Sequence, residues 1–295
     1  MVLVACVASR FEIVFDSYSA AAGAGLLLLG AAYYYRNHRV DLKLGSALES
    51  TAQVLIFAAV AAALSYIAAS GALSLQDDAF DVMDRALGFN WNALLAFMNR
   101  WPGFFLFMRA MYLSHTLQMT AAVLLLAFTG RLAWLRVYML AFIFAALLTI
   151  ALSALLPAEG AWLYYGLKAN RSVMPSSHTS WPVFLGLRDG SYRLLMAVGS
   201  EGIITFPSLH VALAVILMAA FWSVPFARWV SVVVNSLMLA ATPIDGSHYL
   251  VDVLAGIAIA AACVLAAHKL VSRTIAMHVT ASSFAPAEVR VAPTR

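Results

Sequence analysis

The chain alternates long apolar runs with short polar breaks. Histidine aside, no charged residue interrupts 17–35, 50–76, 110–130, 137–158, 202–227, 229–244 or 253–267. A membrane-spanning helix needs about 20 mostly apolar residues, so the pattern predicts seven spans. The last two runs are short. The sixth reaches spanning length by borrowing Val224-Pro225-Phe226. The seventh must begin near Ser247, which draws His248 and Asp252 into the helix. Between the second and third runs, segment 79–101 mixes Phe80, Met83, Leu87, Trp91, Leu94, Leu95 and Met98 with polar residues. It reads as an amphipathic helix lying on the outer surface.

The breaks set an orientation. Arg36, His38, Arg39 and Lys43 follow the first run, Arg131 and Arg136 lie between the third and fourth, Arg228 between the fifth and sixth, and Lys269, Arg273, Arg290 and Arg295 after the seventh. All fall on one side of the predicted membrane. The other side receives Asp77, Asp78, Asp81, Asp84 and the long 157–201 loop. Cytoplasmic loops are enriched in Lys and Arg. The expectation is therefore a multi-pass plasma-membrane protein with its N-terminus outside and its C-terminus in the cytoplasm.

Composition agrees. The chain is 63% hydrophobic and 11% charged, against about 45–50% and about 25% in soluble domains. The net charge of +4 fits basic cytoplasmic loops, and no nucleic-acid partner is expected. Cys6 and Cys263 sit in apolar stretches and give neither a disulfide framework nor metal-ligand spacing. The stretch after Ser272 mixes small, polar and basic residues and reads as a flexible tail.

Two groups of polar residues stand at the mouths of apolar runs: Thr205-Phe206-Pro207-Ser208-Leu209-His210 and Ser247-His248-Tyr249-Leu250-Val251-Asp252. Ionisable groups in such segments are costly and mark function. His248 and Asp252 are four apart, one turn on a shared helix face. The carboxylate can accept a hydrogen bond from one imidazole nitrogen, which fixes the tautomer and frees the other nitrogen as a nucleophile. Thr205 reads as a helix N-cap with Pro207 in the first turn, so free backbone amides and the positive dipole end there would meet an anion. Ser208 adds a hydroxyl donor, and His210 a proton for a leaving oxygen.

Pro207-Ser208-Leu209-His210 and the later His248 to Asp252 resemble the Pro-Ser-x-His and His-x-x-x-Asp motifs of the type 2 phosphatidic acid phosphatase superfamily. More narrowly, Phe206 to His210 and His248-Tyr249-Leu250-Val251-Asp252 resemble the inositolphosphotransferase branch, which includes fungal inositol phosphorylceramide synthases. The likeness is strong over about 202–260. It implies an all-α membrane bundle with a six-helix core over 49–272, an additional span in 1–48 and a tail at 273–295. It also implies His248 as a nucleophile that forms a phosphohistidine, Asp252 as its orienting carboxylate and His210 as general acid, with no metal and no cofactor. The substrate would be a lipid phosphate or phospholipid, met at the extracytoplasmic face.

The chain departs from the superfamily pattern. Lys-x6-Arg-Pro is not present: Lys168 is followed seven residues later by Pro175. Thr242 stands where an arginine usually precedes the second-motif histidine. Some cation must stabilise the transferring group. Arg188, in Leu185-Gly186-Leu187-Arg188-Asp189-Gly190, is the leading candidate, with Lys168, Arg171 and Arg193 behind it. Pro175-Ser176-Ser177-His178 also reads Pro-Ser-x-His, but the short apolar stretch after it cannot span, so His210 is preferred and His178 is left to a substrate loop. His115, inside the third run, either lines a cavity or bonds a neighbouring helix. Two other functions stay open: a proton-coupled transporter, which predicts ionisable residues spread through the bilayer depth, and a non-catalytic membrane relative. The sequence leaves acceptor and oligomeric state undecided.

Overall fold

A computed structural model describes residues 11–166 and 174–283, with side chains through residue 277. Helices α1 (Phe15–Asn37) and α2 (Leu42–Ala69) form a hairpin, followed by the short α3 (Asp77–Ala86) and α4 (Trp91–Arg100). Then come α5 (Pro102–Leu113), α6 (His115–Phe128) and α7 (Leu132–Leu155). The short α8 (Ala161–Tyr164) and α9 (Trp181–Asp189) lie in the connection to α10 (Leu209–Trp222), α11 (Arg228–Gly246) and α12 (Leu250–Ser283). Two-residue strands β1 (Glu12–Ile13) and β2 (Leu194–Leu195) pair in parallel and tie the start of α1 to that connection.

All seven apolar runs become helical, and the chain is an all-α bundle. Five helices have both the length and the hydropathy of a span: Leu42–Ala69, Pro102–Phe128, Leu132–Leu155, Arg228–Gly246 and Leu250–Met277. The second of these joins α5 to α6 across Ser114, whose hydroxyl donates to the Met111 carbonyl at 2.6 Å. α1 has 23 residues but is diluted by Ser, Gly and Tyr and is not among the five. α12 continues through Ser283, past the predicted start of the tail.

α10 is shorter than its apolar run. Only Leu209–Trp222 is helical, a rise of about 21 Å against a hydrocarbon core of about 30 Å. Residues before it are irregular, and the Phe206–Pro207 peptide is cis. Phe206 stacks on Phe80 at 4.6 Å, and Pro207 and Ser208 are buried. Irregular backbone is tolerated at membrane depth where protein surrounds it. The start of α10 is therefore sunk into the bundle.

The core packs small residues between helices. Ala122, Ala127, Ala141, Ala145, Ala212 and Ala260 are all fully buried in one cluster, which lets backbones approach closely. At Gly256 the approach is closest: an added Cβ would lie 2.6 Å from the Ser208 carbonyl oxygen and 2.9 Å from Val211 Cβ. α10 and α12 thus start side by side.

Segment 79–101 differs from its expectation. It is two helices, broken at Gly88, which is left-handed (φ +80°), and restarted by Asn90, whose side chain accepts from Ala93 N–H. The acidic face of α3, not an apolar one alone, turns inward: Asp77, Phe80, Asp81 and Asp84 are all buried. The reason is that Asp77 and Asp84 receive orphan N–H groups of neighbouring segments and Asp81 takes the Tyr165 hydroxyl, a demand that apolar periodicity does not register.

Candidate active site

The two motifs meet where α10 and α12 begin. Ser208 is extended (φ −71°, ψ 112°) and its Oγ accepts from Val211 N–H at 3.4 Å, so Ser208 is the N-cap of α10. The sequence had placed the cap at Thr205 and Pro207 in the first turn; both precede the helix. A serine hydroxyl three residues before the receiving amide has the right reach, and Thr205 lies too far upstream.

α11 ends at Gly246, and Ser247 adopts a left-handed conformation (φ 64°). His248 therefore stands in the turn before α12 rather than in the helix. Asp252, third residue of α12, still reaches it: Oδ2 lies 3.2 Å from His248 Nδ1 and accepts from Tyr249 N–H at 2.9 Å. The second contact is half of a capping box. One carboxylate thus starts the helix and holds the imidazole. With Nδ1–H donated to Asp252, Nε2 is the nitrogen with a lone pair. It faces Ser208 Oγ at 3.4 Å. Ser208, His248, Tyr249 and Asp252 are all buried.

His210, one residue into α10, is half-buried. Its Nδ1 lies 3.1 Å from Tyr112 Oη, and the two rings stack at 4.3 Å. His115 meets His210 edge-on at 4.6 Å while its own Nδ1 contacts the Tyr112 carbonyl at 3.1 Å. His115 is therefore packed beside His210. Gly246 separates this group from His248: a Cβ there would lie 2.6 Å from His248 Cδ2 and 2.9 Å from Tyr112 Oη.

Around this centre the acidic residues of α3 take donors from neighbouring segments. Asp84 accepts from Leu250 N–H at 2.8 Å and Val251 N–H at 3.0 Å, so it caps α12 from another helix. Burial pushes its carboxyl upward, and those two N–H donors pull it back. Asp77 accepts from the Glu159 and Gly160 N–H groups, both at 3.1 Å, and from the Tyr249 hydroxyl at 2.9 Å. Asp81 takes the Tyr165 hydroxyl and pairs with Arg85. Ser247 accepts from Ala161 N–H through its carbonyl and from Trp162 N–H through its hydroxyl, each at 3.0 Å.

A second carboxylate stands three residues before His248. Fully buried Asp245 accepts from Ser176 N–H at 3.0 Å and from the Ser176 hydroxyl. Arg109 lies alongside, its Nε 4.0 Å from Asp245 Oδ1 and an Nη 3.3 Å from the Met174 carbonyl. The competing Pro175-Ser176-Ser177-His178 motif is thus a 3₁₀ turn pinned at the site, with His178 exposed and its Nδ1 2.8 Å from the Pro175 carbonyl.

The sequence-predicted cations fare differently. Arg188 donates to the carbonyls of Gly71 and Leu73 at the end of α2, and those bonds do not join it to His210, Ser208 or His248. Arg193 donates to the Leu187 carbonyl at 2.8 Å. Lys168 and Arg171 lie outside the described residues. Thr242 is buried and bonds within its own helix, to the Met238 carbonyl at 2.9 Å. Sequence reasoning missed Arg109, Tyr112, Asp245 and the capping role of Asp84. The one available signal was the i, i+3 spacing of Arg109, Tyr112 and His115, which places them on one helix face.

Neither the curated proteins nor the solved structures compared with the chain yield a match. The family model described as PAP2 superfamily matches residues 79–266, from within α3 through the first half of α12. That segment is more than half of the sequence and contains both motifs, the cap residue Asp84 and the group around His248 and His210, with Arg109, Tyr112 and Asp245, so the chain belongs to the PAP2 superfamily.

Proposed function

We propose that this protein is an integral-membrane phosphatase or phosphotransferase that works on a lipid-linked phosphate through a phosphohistidine on His248. The observation that carries the reading is the buried Asp252–His248–Ser208 line: the carboxylate fixes Nδ1–H, and Nε2 is directed at the mouth of α10. Nε2 attacks phosphorus and the bond to the lipid oxygen breaks. His210, steadied by Tyr112, gives its proton to that leaving oxygen. Water or an acceptor hydroxyl then attacks the phosphohistidine, returning a proton to His210 and freeing His248. Ser208 Oγ–H and the first amides of α10 are placed to donate to the phosphoryl oxygens. The sunken start of α10 suits a substrate whose chains stay among the helices.

For the missing cation we favour Arg109 over Arg188. Arg109 is held at Asp245, three residues from the nucleophile, while Arg188 is bonded to the α2 terminus. Lys168 remains a candidate from sequence. The likeness to the inositolphosphotransferase branch favours transfer over hydrolysis, and the basic loops favour an extracytoplasmic site in the plasma membrane. The ionisable residues of the site gather at one end of the bundle, which favours an enzyme over a proton-coupled transporter.

The test incubates purified protein with a panel of lipid phosphates, with and without inositol lipids and ceramide, and follows both free phosphate and new headgroup-bearing lipids. His248→Ala is expected to abolish both products, and wild-type turnover in that variant would remove the reading. Turnover is expected to persist in excess chelator; strict dependence on an added divalent metal would contradict the mechanism.

A further inference from the structure

We infer that the protein carries a second lipid site, for an amphiphile with an anionic headgroup, at the end of the bundle opposite His248. A groove of about 700 Å³ lies between α1, α2, α7 and α12, within the range of about 300–1,000 Å³ usual for ligand sites. Its depth is apolar, with Ile56, Phe57, Leu140 and Val271 among the lining, and its polar rim includes Arg36, Glu49 and Arg136. Val271 follows Asp252 by 19 residues on α12, about 28 Å along the axis, so the groove is separate from the phosphoryl-transfer site.

Charge and location identify the occupant. Arg36 pairs with Glu49 and donates to Ser46 Oγ at 3.2 Å, yet its Nε is buried with no hydrogen-bond partner. Arg136 is exposed, and among the described residues no carboxylate pairs with it. Two guanidiniums against one carboxylate leave one positive charge at the rim, and guanidinium favours phosphate through bidentate bonds. Three of the four walls are helices with span character, so the medium at the groove is hydrocarbon and its available ligand is a lipid. The walls from α1 and α2 precede the family-matched segment, and the contribution of α12, Leu270 to Thr274, follows it. Most of the groove's lining thus lies outside the family-matched segment.

The experiment measures intact lipid retained by the purified full chain in native mass spectrometry, with phosphatidylglycerol and phosphatidylcholine as probes. Phosphatidylglycerol is expected to bind at one per chain and about tenfold more tightly than phosphatidylcholine, the scale of a single charge-assisted contact. Arg136→Gln should erase that preference, and Leu140→Trp should expel both lipids by filling the groove. Equal retention of the two lipids would overturn the inference. So would phosphatidylglycerol retention that survives both substitutions, or that is lost with Ser208→Ala instead, which would place the lipid at the histidine pair.

Discussion

Gly246 holds apart two side chains that lie 136 positions from one another in the sequence, Tyr112 and His248. A methyl group there would meet His248 Cδ2 at 2.6 Å and Tyr112 Oη at 2.9 Å, and neither ring can yield without leaving its partner. Gly246→Ala is therefore expected to keep the fold but displace the nucleophile by a fraction of an ångström to an ångström. A shift of that size costs on the order of 10²-fold in turnover; unchanged kinetics would show that the ring positions do not matter. His210→Gln removes the proton donor while retaining a polar contact to Tyr112, and turnover should fall about 10²–10⁴-fold. Arg109→Ala should lower kcat/KM by about 10²–10³, with Arg188→Ala affecting thermal stability more than turnover; the reverse order would restore Arg188 as the phosphate cation. At this scale the sequence was readable wherever the candidate site rests on short spacings. Ser208 and His210 are two apart, His248 and Asp252 four apart, and the structure brings them together. Asp245 was not readable, and Arg109 and Tyr112 showed only as one face shared with His115, because each is an ordinary residue in its own helix and gains meaning from a partner on another. The partners of Arg188 were hidden for the same reason: the carbonyls that take its guanidinium follow α2, more than 100 positions earlier.

Helix α3 shows what apolar periodicity leaves out. Its mixture of Phe, Met and Leu with acids suggested a surface helix with its apolar side down. The structure instead turns Asp77, Asp81 and Asp84 inward with Phe80. The governing quantity is the set of unpaired N–H groups at helix starts, and these belong to α12 and to the turn before α8. Asp84 is the clearest case, because it caps the helix whose first turn carries Asp252. Asp84→Ala is expected to cost about 0.5–2 kcal/mol, the usual loss for a removed cap, and to reduce turnover as well, since the start of α12 positions His248. Asp84→Asn retains one acceptor oxygen and should fall between. Asp78→Ala is the control: Asp78 is exposed and, among the described residues, receives the Tyr164 hydroxyl alone. Thermal denaturation and activity measured on the same samples check the ordering, and equal effects of Asp78→Ala and Asp84→Ala would reject the cap. α10 teaches a related lesson. Its apolar run was long enough to span, but the helix is only 14 residues because Pro207 and the Ser208 cap fix its start inside the protein.

Across the whole molecule the bundle separates two ends. At one, Lys43 approaches the turn after α6, where a Cβ on Gly130 would lie 3.7 Å from its Cε. Trp134 and His268 meet there at 5.6 Å, so the basic breaks between apolar runs gather as the helix alternation requires. The other end holds His248, the acidic α3 and the connection that β2 ties to the start of α1. The alternation of spans and basic loops was legible from sequence because it depends only on composition along the chain. The depth of the site was not, since it depends on where α10 starts. The side of the membrane can be tested directly at Val198, which is exposed (63%) in the connection at the histidine end. In a background where Cys6 and Cys263 are replaced by Ser, Val198→Cys should react with a membrane-impermeant maleimide added to intact cells. A cysteine at Arg136, at the basic end, should react only after permeabilisation. Labelling in the opposite order would invert the topology and move lipid-phosphate processing to the cytoplasmic leaflet, while leaving the geometry around His248 unchanged.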